Sequence, residues 1–330
     1  MRILIIGAAG MIGQKLGERI AREGAIADET VESIVLHDIV SPVVPPDSTV
    51  SIETTASDLG DGASTKLLVA SRPDVIFHLG AVLSGEAEAD FDKGYRVNLD
   101  GTRTLFEAIR NEGDDYHPKV VFTSTIAVFG EPYPVTIGDE FFATPLTSYG
   151  TQKAMCELLL SDYSRRGIFD GIGIRLPTIC VRPGKPNKAA SGFFSNIIRE
   201  PLIGEEAILP VPDTLRHWFA SPRSAIGFLL HAASTDTRAL EGRRNLTMPG
   251  VSATVGEQID SLRRIAGDST VALIRRSPDD AIWQIVKGWP HRFEADRAKA
   301  LGFRADANFD EIIRIHIEDE LGGNLANRVR

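Results

Sequence analysis

A short apolar run that breaks at once into evenly spaced glycines constrains this chain more than anything else in it. Ile3–Ile6 reads as a buried strand. Gly7-Ala8-Ala9-Gly10-Met11-Ile12-Gly13 follows directly, and Ile12, Leu16 and Ile20 then form the apolar stripe of a helix over Met11–Arg22. Glycines in such a turn let the backbone bend tightly and approach a pyrophosphate. The N-terminus of the next helix supplies free N–H groups and partial positive charge. The spacing is GxxGxxG rather than GxGxxG, and it gains its weight from the strand-turn-helix setting.

The rest of the first half keeps this rhythm. Strands are expected at Ile34–His37, Val50–Thr54, Val75–Leu79, Val120–Thr123 and Ile172–Leu176. Helices are expected at Asp61–Ala70, Glu86–Arg110 and Ser148–Arg165, and the Pro-rich stretch Ser41–Asp47 is a loop. Alternation of this kind predicts an α/β fold, a Rossmann-type doubly wound parallel sheet with right-handed crossovers. Beyond Pro177 the elements shorten and mix, and Val181–Lys188 is rich in Arg, Lys, Pro and Gly. Residues 1–176 are therefore expected to form the nucleotide-binding domain. Residues 177–330 are expected to supply most of a smaller mixed substrate-binding region, with some segments returning to the first domain.

Composition narrows the function classes. The 330 residues are 43% hydrophobic and 25% charged, as in ordinary globular proteins, and the net charge of -9 disfavours a nucleic-acid surface. Cys156 and Cys180 are too few for a disulfide framework, and no His/Cys cluster has zinc-ligand spacing. Cys180 reads as a core residue. The first apolar run is only strand-length, and no stretch reaches the roughly 18–20 apolar residues of a membrane span. The expectation is a cytoplasmic enzyme with no metal and no membrane partner.

Asp38, at the end of the second strand, is placed to accept hydrogen bonds from ribose hydroxyls and to repel the 2'-phosphate of NADP; NAD is the expected cofactor. Asp58 and Leu59 after the third strand, and Leu79, Gly80 and Ala81 after the fourth, are further candidates to flank it. Tyr149 and Lys153 share one helix face, and Ser124 and Thr125 close the strand before them. Oxidising an alcohol needs a base for its proton. Bringing a tyrosine from its ordinary pKa near ~10 to neutral pH requires roughly 4 kcal/mol. An ammonium about 4 Å away at an effective dielectric near 20 interacts with about that strength. Lys153 is thus sufficient in magnitude to poise Tyr149 as general base, with a hydroxyl from Thr125 or Ser124 orienting the reacting oxygen.

In this order, GAAGMIG, Asp38, HLGA (His78–Ala81), VNLDGT (Val97–Thr102), TSTIAVFG (Thr123–Gly130) and YGTQK (Tyr149–Lys153) resemble the extended short-chain dehydrogenase/reductase superfamily. The resemblance covers roughly residues 1–180. It implies Tyr149 as base, Lys153 as its support and a ligand of NAD, and Thr125 as the catalytic hydroxyl with Ser124 beside it. Asn98 matches the family's helix Asn, a structural or proton-relay residue near the cofactor. The resemblance also implies a homodimer through the helices near 86–110 and 148–165.

Two segments depart from the sugar-nucleotide epimerase and dehydratase branch. Arg175–Asn187 lacks its characteristic Asn shortly after the sixth strand, and Arg216–Ala225 keeps the Arg but not the following acidic pair. Leu176–Pro212 and Ala81–Asn98 are more similar to D-erythronate dehydrogenases, and STIAVFG is shared with L-threonine dehydrogenases. The resemblance thus implies oxidation of a small sugar acid at C2. The alternatives are an epimerase that retains its NAD, a threonine dehydrogenase-like activity, or an NAD sensor without turnover. A carboxylate substrate calls for a bidentate Arg, and Arg182 and Arg216 are the candidates, each equally readable as a surface ion pair. Ser84 is a further substrate candidate or a helix cap. His217 and Trp218 are candidate pocket liners or packing residues. Lys185 and Lys188 could guard an anion site or sit in a solvated loop.

Overall fold

The computed structural model describes residues 1–184 and 190–323. Lys185 and Lys188 lie outside the described residues. The chain divides into two compact, discontinuous units: Met1–Val128 with Pro145–Leu176 and Ile226–Thr247, and Phe129–Thr144 with Pro177–Ala225 and Met248–Arg330.

The first unit is built on a seven-stranded sheet of β1 (Arg2–Ile6), β2 (Ser33–Asp38), β3 (Ser51–Ala56), β4 (Val75–His78), β5 (Lys119–Thr125), β6 (Asp170–Leu176) and β7 (Asn245–Thr247). Its order is β3-β2-β1-β4-β5-β6-β7, and every pairing is parallel. The order reverses at β1, where Ile3 pairs with Ile34 on one side and Val75 on the other. Both faces of β1 are covered, so Ile3–Ile6 can be a continuous apolar run. Helices α1 (Met11–Glu23), α2 (Gly62–Ala70), α3 (Gly101–Arg110) and α4 (Ser148–Arg165) flank the sheet. Leu4, Ile76, Phe106, Phe122, Cys156, Leu160 and Phe169 share one core cluster.

The long helix expected over Glu86–Arg110 is interrupted. Asp90 leaves helical geometry (φ -128, ψ 88), and its carboxylate accepts from the Lys93 N–H at 3.0 Å, starting a new helix. A π-helical turn, Tyr95–Asp100, then leads into α3. Apolar periodicity runs through such breaks unmarked, because a cap and a widened turn cost the pattern little.

The second unit is mixed. Val251–Thr254 runs antiparallel to Arg216–Ala220, which pairs in parallel with Thr178–Ile179. Helices Gly192–Leu202, Val255–Ala266 and Phe309–Leu321 enclose a core including Phe194, Ile198, Phe219, Ile259, Leu262 and Ile312. A capping box at Thr254 and Glu257 starts Val255–Ala266. No helix among the described residues is long and apolar enough to cross a membrane, and none of their His, Cys, Asp and Glu side chains cluster in a way that could hold a metal ion.

Candidate active site

The glycine loop is shaped by its own backbone. Gly7 has φ +87, and a Cβ there would lie 2.6 Å from the Gly80 nitrogen. A Cβ on Gly13 would lie 2.2 Å from the Gly7 carbonyl oxygen. The Gly7 and Ala8 N–H groups donate to His37 O at 2.9 and 3.0 Å. Asp38 accepts from Ala9 N at 2.9 Å and from Ile39 N at 2.7 Å, so the expected ribose ligand also clamps the loop. Gly10 caps α1 without a side-chain bond, and the first turn holds no acidic residue. The N–H groups of Met11, Ile12 and Gly13 therefore have no partner within the helix. Gly10 meets only the Gly7 oxygen, at 3.3 Å from a would-be Cβ, leaving that flank open. Bare donors, a dipole end and a missing Cβ together fit a pyrophosphate.

The other cofactor candidates are placed unequally. Asp58 pairs with Arg96 at 3.2 Å and accepts from Gly60 N at 2.8 Å. Leu59 packs against the core and accepts from the Thr65 hydroxyl at 2.8 Å. Leu79 N donates to Ile6 O at 2.8 Å, and Gly80 and Ala81, both half-buried, follow it out of the sheet. Asn98 lies buried on the π turn. Its side chain accepts from Val82 N at 2.9 Å and donates to Val82 O at 3.1 Å and to Gln152 Oε1 at 2.7 Å. It thereby ties the segment after β4 to α4.

Thr147 caps α4 by accepting from Gly150 N at 3.1 Å. A Cβ on Gly150 would lie 2.2 Å from Ala127 O, so this glycine lets the first turn of α4, with half-buried Tyr149, pack against the segment after β5. Lys153 is 2% exposed; its Nζ donates to Thr123 O at 2.9 Å and lies 4.6 Å from the centre of the Phe122 ring. Burial brings its pKa down to about 8, against the raising influence of Cys156 and Glu157. Thr125 accepts from Ala127 N at 3.1 Å. Ser124 is buried on the other side of the strand and donates to Glu157 Oε1 at 2.5 Å. The two hydroxyls thus part, with Thr125 left at the strand end and Ser124 committed to Glu157.

Ser84 is half-buried and is the first residue of the helix Ser84–Ala89. Leu83 stands at its cap without a side-chain bond, so Ser84 is not a capping serine. In the second unit Arg182 donates to Ile179 O at 3.0 Å and to the Ser191 hydroxyl at 3.1 Å. Arg216 donates to Ser252 O and pairs with Glu257, both at 3.0 Å. His217 is buried, bonded to the Thr178 hydroxyl at 2.7 Å and stacked on Phe194 at 5.2 Å. Burial brings its pKa down to about 3, aided by His291 and Arg182. Trp218 is also buried and donates to Met248 O at 3.2 Å, and Cys180 is fully buried. His217 and Trp218 are thus both bonded and packed within the second unit.

Sequence reasoning missed Glu157, Arg175 and Gln152. Glu157 had one available signal, its position a helical turn after Lys153 on the same face. For Arg175 and Gln152 only the sheet register and the π turn reveal the partner.

Residues 3–219 match the NAD dependent epimerase/dehydratase family. The chain belongs to that family. NAD is its cofactor, in keeping with the cradle at Gly7–Gly13. The chain is 43% identical to a D-erythronate dehydrogenase of Cupriavidus necator over 97% of its own length and 98% of that protein. It is 39% identical to the D-erythronate dehydrogenase of Haemophilus influenzae, over 97% of this chain and 100% of that one. A crystal structure described as the nucleoside-diphosphate-sugar epimerase from Agrobacterium tumefaciens superposes with a TM-score of 0.97 at 62% identity, covering 99% of this chain and 96% of that one.

Proposed function

We propose that this family member is an NAD-dependent dehydrogenase that oxidises the C2 hydroxyl of a small sugar acid, D-erythronate in the first place, to the 2-oxo acid. The observation that carries the chemistry is Lys153, a buried ammonium on the helix of Tyr149, fixed by Thr123 O at 2.9 Å. The substrate class rests on the near full-length likeness to two D-erythronate dehydrogenases.

The N-terminus of α1 with Gly7, Gly10 and Gly13 holds the cofactor pyrophosphate, and Asp38 accepts from the ribose. When bound, NAD supplies the acceptor for the C2 hydride. Tyr149, as the phenolate that the Lys153 ammonium stabilises, takes the C2 hydroxyl proton and becomes the neutral phenol. Thr125 donates its hydroxyl to the reacting oxygen. Arg182 is proposed as the bidentate anchor of the carboxylate, with Arg216, paired with Glu257 at 3.0 Å, as the alternative. A homodimer through α4, as the family resemblance implies, is part of this reading, and sedimentation checks it.

The likeness to the Agrobacterium protein favours a second reading, an epimerase that retains its NAD and releases no NADH. Thr178-Ile179-Cys180 and Arg216–Ala225 speak against a nucleotide sugar, since the expected Asn and acidic pair are missing. The test measures NADH absorbance with NAD and D-erythronate, with L-threonine and other sugar acids beside it. UDP-sugar interconversion is followed separately. NADH formation from D-erythronate is expected, with Tyr149→Phe losing about 10²–10⁴-fold in kcat while NAD affinity stays. Interconversion of UDP-sugars without NADH formation from any acid overturns the dehydrogenase.

A further inference from the structure

Behind Lys153 sits a charged group that the chemistry above does not use. Glu157 is 4% exposed. It accepts from the Ser124 hydroxyl and is held bidentately by Arg175, Nε to Oε1 at 2.9 Å and Nη2 to Oε2 at 2.7 Å. Ser124 and Arg175 are cross-strand partners in the β5–β6 register. Its backbone oxygen also accepts from Asn245 of β7 at 3.2 Å. One side chain therefore joins the strand end that carries Thr125 to the helix that carries Tyr149 and Lys153.

A buried ion pair is a poor source of stability, since its desolvation offsets its attraction and apolar replacements are often neutral. What it does supply is fixed geometry and a fixed charge. Lys153 faces Cys156 and Glu157 from its own helix, His78 from β4, and the Phe122 ring and Thr123 O from β5. Arg175 of β6 reaches this group through Glu157. Burial raises the Cys156 thiol and lowers His78 to about 3, so both are neutral near pH 7. The Glu157 carboxylate, paired with Arg175 at 2.7 Å, is the acidic side chain among them.

We propose that Glu157 is a positioning residue for the reaction: through Ser124 and Arg175 it sets α4, which carries Tyr149 and Lys153, against the end of β5. This rests on the reading of Tyr149 and Lys153 given above. So placed, Glu157 also raises the Lys153 pKa; without the carboxylate, Lys153 loses its proton at lower pH, and the support for the tyrosinate is lost with it.

The experiment follows kcat for D-erythronate against pH in the full-length enzyme with NAD, for Glu157→Gln and for the double variant Glu157→Gln/Arg175→Gln, which leaves no unpaired buried charge. In both, the alkaline limb is expected to move down by about one pH unit, with kcat near pH 8 falling about tenfold. KM for NAD and for the acid should change less than about twofold. Glu157→Asp, which keeps the charge, is expected to hold the limb in place. An unmoved limb in the folded double variant overturns the proposal, as does failure of both charge-removing variants to fold, which makes Glu157 a folding residue. Tyr149→Phe separates the two readings. If it abolishes turnover while the limb ignores Glu157, only the present inference falls; if it leaves turnover intact, the Tyr149 reading falls.

Discussion

The two units hold their polar residues in different ways. In the first, the groups proposed to bind and react stand in short motifs: the loop Gly7–Gly13, where Gly13 meets the Gly7 carbonyl, and Tyr149 and Lys153 on one helix. In the second, two candidate site residues are held from far along the chain. Arg216 finds Glu257 41 residues on, and His217 finds Thr178 39 residues back. Local constraint leaves a motif. Distant constraint leaves an ordinary-looking residue whose partner has to be found in space.

The strongest way to break this contrast is at Gly13. A Cβ 2.2 Å from the Gly7 oxygen forces the loop to open, and overpacking of that kind costs about 1–3 kcal/mol. Gly13→Ala is therefore expected to weaken NAD about 100-fold. The check is the rise in Tm on adding NAD, large for the parent and nearly lost in the variant. Undiminished protection by NAD would mean that the loop is a structural turn, and the best local motif would carry no function.

Legibility followed the same divide. The strand-loop-helix at Ile3–Arg22 was readable because two glycines meet backbone atoms that no side chain can displace. The parallel sheet was readable because its central strands, covered on both faces, are largely apolar. The break at Asp90 and the π turn at Tyr95–Asp100 were hidden, because the apolar stripe continues across them. The choice between Ser124 and Thr125 was open in sequence, since both are strand-end hydroxyls. Only the buried Glu157 separates them. The Arg candidates stayed level for the same reason: nothing near Arg216 in sequence announces Glu257.

That pair gives a second way to sharpen the contrast. Losing a charged hydrogen-bonding partner of a carboxylate costs about 1.5–3 kcal/mol. Arg182→Met is expected to raise KM for D-erythronate about 10–100-fold with little change in kcat. Arg216→Met, which removes a cation already matched by Glu257, should change KM about threefold or less. Steady-state kinetics decides. Equal effects would mean that a distant partner does not mark an arginine as structural, and the contrast between the units would lose its meaning at the substrate.

The mildest test uses a feature the units share. Each buries a histidine whose pKa falls to about 3: His78, bonded to Thr102 at 2.8 Å, and His217, bonded to Thr178. In both, burial is the leading cause, and His37 shifts in the same direction. The unfolded chain protonates these rings near pH 6.5, whereas the folded one stays neutral until about pH 3. Within that window the unfolded state binds the extra protons, so stability is full above pH 6.5 and declines as the pH falls. Each ring contributes a slope of about 1.4 kcal/mol per pH unit. All three tryptophans, Trp218, Trp283 and Trp289, lie in the second unit, so their fluorescence reports on the unit that holds His217. His217→Phe keeps the ring stacked on Phe194, and in urea titrations at pH 7 and pH 5 it should flatten the fluorescence-detected loss by about one proton's worth of slope. An unchanged slope would mean that His217 is protonated in the folded protein, and burial of a histidine among aromatic rings would then not exclude its charge.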